Sequence, residues 1–199
     1  MKNGADWDWW FISKSKKLFL GIRIQAKTIE PTLEEYKVFH YTSGAQSQAL
    51  KLQRSSVLNS MIPFYALYTY WDSAPTIKYN NEAHEHYGIS LVTLDNVLKL
   101  KGSKTWKGEK ETLQRLSPDL IPLHKLLESS DPLKSLPENV MDNIKQELNP
   151  RKGMFSRTET RPGITTCPPM YVTKLLESEG YFDNDELLVA NKTVLFIEE

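Results

Sequence analysis

Apolar and polar positions alternate with a period of two through the first part of the chain. From Ala5 to Ile12, Trp7, Trp9 and Phe11 fall on one face of an extended segment and Asp6, Asp8 and Trp10 on the other. From Leu18 to Lys27 the alternation repeats, with Ile22, Ile24 and Ala26 opposite Arg23, Gln25 and Lys27. The linker Ser13-Lys14-Ser15-Lys16-Lys17 is short and polar, so the two strands are predicted to form an antiparallel hairpin. Residues 28–44, with Pro31, Ser43 and Gly44, read as a loop with one helical turn. Ala45–Asn59 carries helical spacing through Ala49, Leu52 and Leu58, flanked by Leu50 and Val57. Ile62–Trp71 is almost continuously apolar or aromatic, the pattern of a strand covered on both faces. Strand, strand, helix, strand makes a crossover unit, and the predicted class is α/β (α+β).

The second half has weaker periodicity. Ile89–Leu100 reads as a helix with Leu91, Leu94, Val97 and Leu98 on one face. Asp119–Ser129, Pro137–Leu148 and Met170–Glu179 are further predicted helices, and Thr193–Glu198 a closing strand. Residues 101–118 and the proline- and glycine-rich 149–169 read as loops. No repeat or low-complexity segment occurs, and the expectation is one domain over 1–199: a core in 1–75 and a helical, loop-rich half in 76–199.

Composition narrows the class only a little. Lys+Arg and Asp+Glu are both 25, which argues against a protein that coats nucleic acid by charge but allows a local basic face. One cysteine, Cys167, cannot form an internal disulfide, so a cytoplasmic setting is the default. The longest apolar run, Met61–Trp71, is broken by Pro63 and Thr69 and is too short to cross a bilayer, and the N-terminus lacks a signal-peptide pattern. No partner membrane is expected.

The chemistry-bearing pattern is Asp on the first strand and Gln-x-Lys on the second. Alternation lets the hairpin bring Asp6, Gln25 and Lys27 to one side. A carboxylate, an amide oxygen and the Ala26 carbonyl are hard oxygen donors of the kind Mg²⁺ or Mn²⁺ takes, and an ammonium nearby can steer an attacking water and offset phosphodiester charge. Such residues near strand ends are also ordinary solvated surface. Trp7, Trp9 and Trp10 read as sheet packing ahead of base-stacking platforms. His84 and His86 could share a face, but have no third ligand near; His40 and His124 are isolated. Lys14, Lys16 and Lys17 suit either a phosphate contact or a solvated turn. No nucleophile elbow, Walker loop or dinucleotide fingerprint occurs.

Gly4-Ala5-Asp6-Trp7-Asp8-Trp9-Trp10 followed by Gly21-Ile22-Arg23-Ile24-Gln25-Ala26-Lys27 resembles the signature of an uncharacterised bacterial family with Gly-Ala-Asp-Trp-Glu-Trp-Trp and Arg-Val-Gln-Ala-Lys. The likeness continues through Gly44-Ala45-Gln46, Leu50 and Ile62-Pro63-Phe64-Tyr65-Ala66-Leu67-Tyr68, and weakly to Pro168-Pro169-Met170-Tyr171-Val172. That family in turn resembles PD-(D/E)XK nucleases, above all the Gln-x-Lys variants among restriction enzymes that cut modified DNA. The resemblance implies a restriction-endonuclease-like mixed sheet flanked by helices. It implies Asp6, Gln25 and Lys27 as catalytic residues, with Asp6, Gln25 and the Ala26 carbonyl on the metal. Gln46, on the following helix, and Arg23 would face the substrate, and Asp8 would be structural. Those nucleases carry a helix and a strand ahead of the Asp strand. Only five residues precede Asp6, so the expectation is a shortened gene, a fragment or a trimmed core, with that helix and strand lacking from this sequence.

The functional expectation is Mg²⁺- or Mn²⁺-dependent hydrolysis of phosphodiesters, in DNA ahead of RNA, with homodimerisation left open. The alternative is an inactive module of the same fold that binds nucleic acid or a protein.

Overall fold

The computed structural model describes residues 4–30, 35–36, 42–43, 46–69, 88–102, 116–129, 131–148, 163–177 and 192–199. Strand β1 (Trp7–Ser13) and β2 (Leu18–Glu30) form the predicted antiparallel hairpin, with Trp7 opposite Ile24 and Ser13 opposite Leu18. The turn closes through Lys17, which adopts a positive φ of 53° and donates its N–H to the Lys14 carbonyl at 3.3 Å. β2 is longer than predicted: it runs into the segment read as a loop, where it pairs with the short β3 (Glu35–Tyr36). A separate two-stranded pair, β4 (Thr42–Ser43) and β5 (Gln46–Ser47), leads into helix α1 (Gln48–Leu58).

α1 starts later than its apolar spacing suggests because Ser47 caps it, its side chain accepting from the Leu50 N–H at 3.4 Å. Gln48, Ala49, Leu52 and Ser56 face inward, whereas Leu58 is exposed, contrary to the predicted apolar stripe. β6 (Ile62–Tyr68) then lies parallel to β2, from Ile22 opposite Ile62 to Thr28 opposite Tyr68, completing the crossover. Its residues serve two cores. Tyr65 and Leu67 join Ala49, Leu52, Val92 and Val97 on the α1 side; Ile62, Phe64 and Ala66 join Phe11, Leu20, Ile22 and Ile24 on the other.

The helix predicted over Ile89–Leu100 is instead a strand, β7 (Ile89–Thr93), that becomes helix α2 (Leu94–Gly102). The reason is visible in the burial: Leu91 packs in one core and Val92, Leu94 and Val97 in the other, which only an extended start allows. Thr93 marks the change, its hydroxyl accepting from the Asn96 N–H at 3.2 Å. The helix predicted over Asp119–Ser129 likewise divides into a 3₁₀ turn (Ser117–Asp119), strand β8 (Ile121–Pro122) and helix α3 (Leu123–Leu127).

Helix α4 (Leu136–Leu148) opens with a capping box. Ser135 donates its N–H and hydroxyl to the Glu138 carboxylate at 2.8 and 2.6 Å. Its Val140 and Ile144 close the second core. Helix α5 (Met170–Glu177) packs Val172 against Trp10, Ile12 and Met61. Strand β9 (Lys192–Glu198) runs parallel to β1, Trp7 opposite Lys192 and Ser13 opposite Glu198.

The main sheet is therefore mixed, in the order β8-β7-β6-β2-β1-β9, with helices packed against its two faces. The class is α+β. Strands from the second half of the chain flank both sides of the hairpin-and-crossover unit built by the first half. No helix of the described residues is long and apolar enough to cross a membrane.

Two glycines are required by close approach. Gly21 lies opposite Trp10, and a Cβ there would stand 2.7 Å from the Trp10 indole and 2.9 Å from Met61. Gly4 has φ +78°, and a Cβ there would stand 2.6 Å from the Gln48 carbonyl and 2.7 Å from the Leu52 N–H nitrogen. Gly4 thus lets the approach to β1 lie directly on α1, two residues before Asp6.

Candidate functional site

Strand alternation places Asp8, Arg23 and Gln25 on the α1 side of the sheet, with Asp6 at the head of β1 anchored by its N–H to the Ile24 carbonyl at 2.8 Å. Asp6 Oδ2 accepts from the Ala26 N–H at 2.9 Å and from the Gln25 side-chain NH₂. The same NH₂ also reaches the Ala26 carbonyl at 3.1 Å. Gln25 Oε1 accepts from Gln48 Nε2, and Gln48 Oε1 accepts from Lys27 Nζ at 2.9 Å. Asp6, Gln25 and Lys27 are thereby brought into one hydrogen-bonded chain. In that chain Lys27 joins through Gln48.

Gln48 is the residue that sequence reasoning missed. It occupies the first turn of α1, so the helix N-terminus, with its partial positive charge, faces this cluster. Its signal in the sequence is the four-residue spacing Gln48, Leu52, Ser56, the inward row of α1. Gln46, expected on the helix, is in β5 before it, and its side chain lies outside the described residues. A second missed neighbour is Tyr65. It is the β6 partner of Gln25, and burial, then the Asp6 carboxylate, push its phenol well above the usual tyrosine range. Tyr65 is thus a protonated hydroxyl at all physiological pH.

Arg23, expected to face the substrate, is fully buried. Its guanidinium grips Asp8 with two bonds, at 2.7 and 2.6 Å, and donates to the Ser55 carbonyl at 2.8 Å. Tyr171 of α5 donates to Asp8 at 3.0 Å and accepts from the Trp10 indole N–H at 3.0 Å. Burial, then Asp8, raise the Tyr171 phenol above its usual range. Arg23 therefore neutralises a buried carboxylate and cannot reach a ligand.

The remaining candidates are quickly placed. Trp10 is fully buried; Trp7 and Trp9 pack on the second core, and Trp9 meets Phe196 edge-on at 6.0 Å, so the tryptophans are sheet packing. Lys14 pairs with Glu199 at 2.8 Å and Lys16 with Glu138 at 2.9 Å. Cys167 is exposed and His124 lies on α3. His40, His84 and His86 lie outside the described residues. Among the described residues no group of three His, Cys, Asp or Glu side chains converges.

What the arrangement offers chemically is a partly exposed carboxylate held by neutral donors. Among the described residues, Asp6 has no cationic partner: both of its hydrogen bonds come from amides. The oxygens of Asp6 and Ala26 stand on either side of the Gln25 NH₂, whose partial positive charge occupies the place between them. No curated protein and no solved structure matches this chain. A family match covers residues 1–199, and the chain belongs to the Family of unknown function (DUF6615).

Proposed function

We propose that the protein is a Mg²⁺-dependent nuclease of the restriction-endonuclease-like, PD-(D/E)XK lineage, hydrolysing phosphodiester bonds in DNA ahead of RNA. The observation that carries this reading is Asp6, a carboxylate bound, among the described residues, by neutral donors beside a backbone carbonyl. An acceptor pair that has already drawn in an amide NH₂ is suited to a small hard cation. The order of elements supports it too: Asp strand, Gln-x-Lys strand, helix, buried parallel strand.

Asp6, the Ala26 carbonyl and the Gln25 amide oxygen would hold the cation, Mn²⁺ serving in place of Mg²⁺. Asp6 and the Ala26 carbonyl already converge on one point, whereas the Gln25 oxygen accepts from Gln48 and would join them only once its amide turned; a single carboxylate leaves most positions to waters and to the phosphate. When bound, the cation would polarise the phosphodiester and lower the pKa of a coordinated water. The chain's own residues supply the rest. Lys27 places a positive charge one amide away from Asp6, where it can offset charge developing on a phosphoryl oxygen. The α1 N-terminus adds a field of the same sign. Tyr65 stays a neutral hydroxyl beneath the carboxylate.

The test is cleavage of plasmid, linear, modified and single-stranded substrates with Mg²⁺ or Mn²⁺. Asp6→Ala and Lys27→Ala are each expected to lower the rate by about 10²–10³-fold. Chelation should abolish the activity. Substrates left intact by the unaltered protein under all conditions overturn the reading. The alternative, a module of the same fold that binds nucleic acid or a protein without cutting, is favoured by the single carboxylate among the described residues of the site. Calorimetric Mn²⁺ binding that Asp6→Ala abolishes supports the enzyme; no detectable binding supports the module.

A further inference from the structure

The two edges of the main sheet are built differently. β8, at one edge, is two residues long and ends in Pro122, so it offers little to a passing chain. β9, at the other, is seven residues, Lys-Thr-Val-Leu-Phe-Ile-Glu, with no proline and no charge between its ends. Among the described residues it pairs on one side only, with β1. The Glu198 carbonyl accepts from the Lys14 N–H at 3.0 Å, so Glu198 turns its backbone groups towards β1. In a strand a residue's N–H and C=O point to one side, and successive residues alternate sides. Thr193, Leu195 and Ile197 therefore turn theirs to the outer edge.

We infer that β9 is a dimer interface: it takes β9 of a second copy of this chain, antiparallel, about a twofold axis at Leu195. The occupant follows from the strand itself, which read backwards is its own complement. With Leu195 opposite the partner's Leu195, Thr193 faces the partner's Ile197. These are the residues whose backbone groups point outwards, so each pair exchanges both of its hydrogen bonds. Lys192 then faces the partner's Glu198 at either end, opposite charges in a pair without backbone bonds, where side chains stand closest. Among the described residues neither makes an ion pair within its own chain. Lys192 lies 4.9 Å over the Trp7 ring, and Glu198 accepts from the Leu136 N–H at 2.9 Å. Leu195 packs on the Trp10 core and Phe196 on the Phe11 core, so the pairing extends both faces of the sheet across the axis. None of this depends on the metal reading.

The test is sedimentation equilibrium of the full chain, with amide hydrogen exchange followed by NMR. The unaltered protein should have twice the mass of one chain in the micromolar range, and the amides of Thr193, Leu195 and Ile197 should be protected. Ile197→Pro removes an outward N–H at a position 42 % exposed and leaves the β1 pairing its bonds. It should raise the dissociation constant at least about tenfold and expose the Thr193 and Leu195 amides, while those of Val194 and Phe196 stay protected. Lys192→Glu and Glu198→Lys each set like charges opposite one another and should weaken self-association about tenfold. Mixed in equal amounts they should restore the dimer, because one chain then sets two glutamates against the other's two lysines. A monomer throughout the micromolar range overturns the inference. So does a dimer that Ile197→Pro and the single charge variants leave unchanged, since its interface lies elsewhere. A monomer that instead pairs this edge with a strand of an unrelated protein gives the edge to another occupant and overturns it too.

Discussion

Asp6 and Asp8 stand two positions apart on the same hairpin, yet their surroundings differ in kind. Asp8 is fully buried and its charge is cancelled by the two-pronged grip of Arg23, with Tyr171 adding a third donor. Asp6 is partly exposed and, among the described residues, is met by the NH₂ of Gln25 and the N–H of Ala26. Neutral donors orient a carboxylate without removing its charge, whereas a guanidinium does both. One carboxylate therefore has its charge compensated in the core, and the other keeps its charge at a partly exposed position. The lesson is that the partner, rather than the residue type, separates a structural carboxylate from a candidate ligand.

The contrast can be broken from either end, and the largest effect should come from the closed end. Arg23→Ala strands the Asp8 charge in the core and should cost about 3–5 kcal/mol in urea unfolding. Replacing both partners, Asp8→Leu with Arg23→Met, should recover most of that loss, because the penalty belongs to the uncompensated charge. Tyr171→Phe removes one hydrogen bond from the same carboxylate and should cost about 1–2 kcal/mol, leaving Mn²⁺ binding intact. At the open end the pattern inverts. Asp6→Ala should abolish Mn²⁺ binding in calorimetry while shifting the unfolding free energy by less than about 1 kcal/mol. A large stability loss in Asp6→Ala would mean that the two carboxylates are alike after all.

The smallest expected effect sharpens the comparison away from the sheet. Glu138 is a partly exposed carboxylate held by Lys16 and by both donors of Ser135, and these partners lower its pKa from 4.5 to about 2. A depressed carboxyl contributes stability above its unfolded pKa and loses it as pH falls through the folded one. Thermal midpoints should therefore decline between pH 4.5 and about 2, and Glu138→Gln should flatten the curve in that window. An unchanged profile in the variant would show that the capping box is not coupled to folding.

Much of this was legible in the sequence, for identifiable reasons. The hairpin and its faces follow from period-two alternation, which one buried side enforces. The apolar run at Ile62 betrays a strand covered on both sides. Asp6, Gln25 and Lys27 could be grouped because they need only local geometry. The errors fall where tertiary contacts decide. Ile89–Leu100 satisfied a helical period by accident, since Leu91 and Leu94 serve opposite cores. Arg23 looked like its neighbours in the alternation, and only the third dimension shows it spent on Asp8. Gln48 carries no apolar signal, and the Ser47 cap rather than the apolar stripe sets the true beginning of α1.

The parallel pairing of β1 with β9 has a consequence for biogenesis. Trp7 lies beside Lys192, and the contact must wait until the residues after 191 have left the ribosome. The hairpin, α1 and β6 can assemble long before, but one edge of β1 then presents unpaired backbone groups until β9 emerges. Such an edge is a template for mispairing with other nascent chains, and distant pairings of this sort form slowly. Yield in the cell should thus depend on chaperone supply and growth temperature more than on the stability of the finished fold.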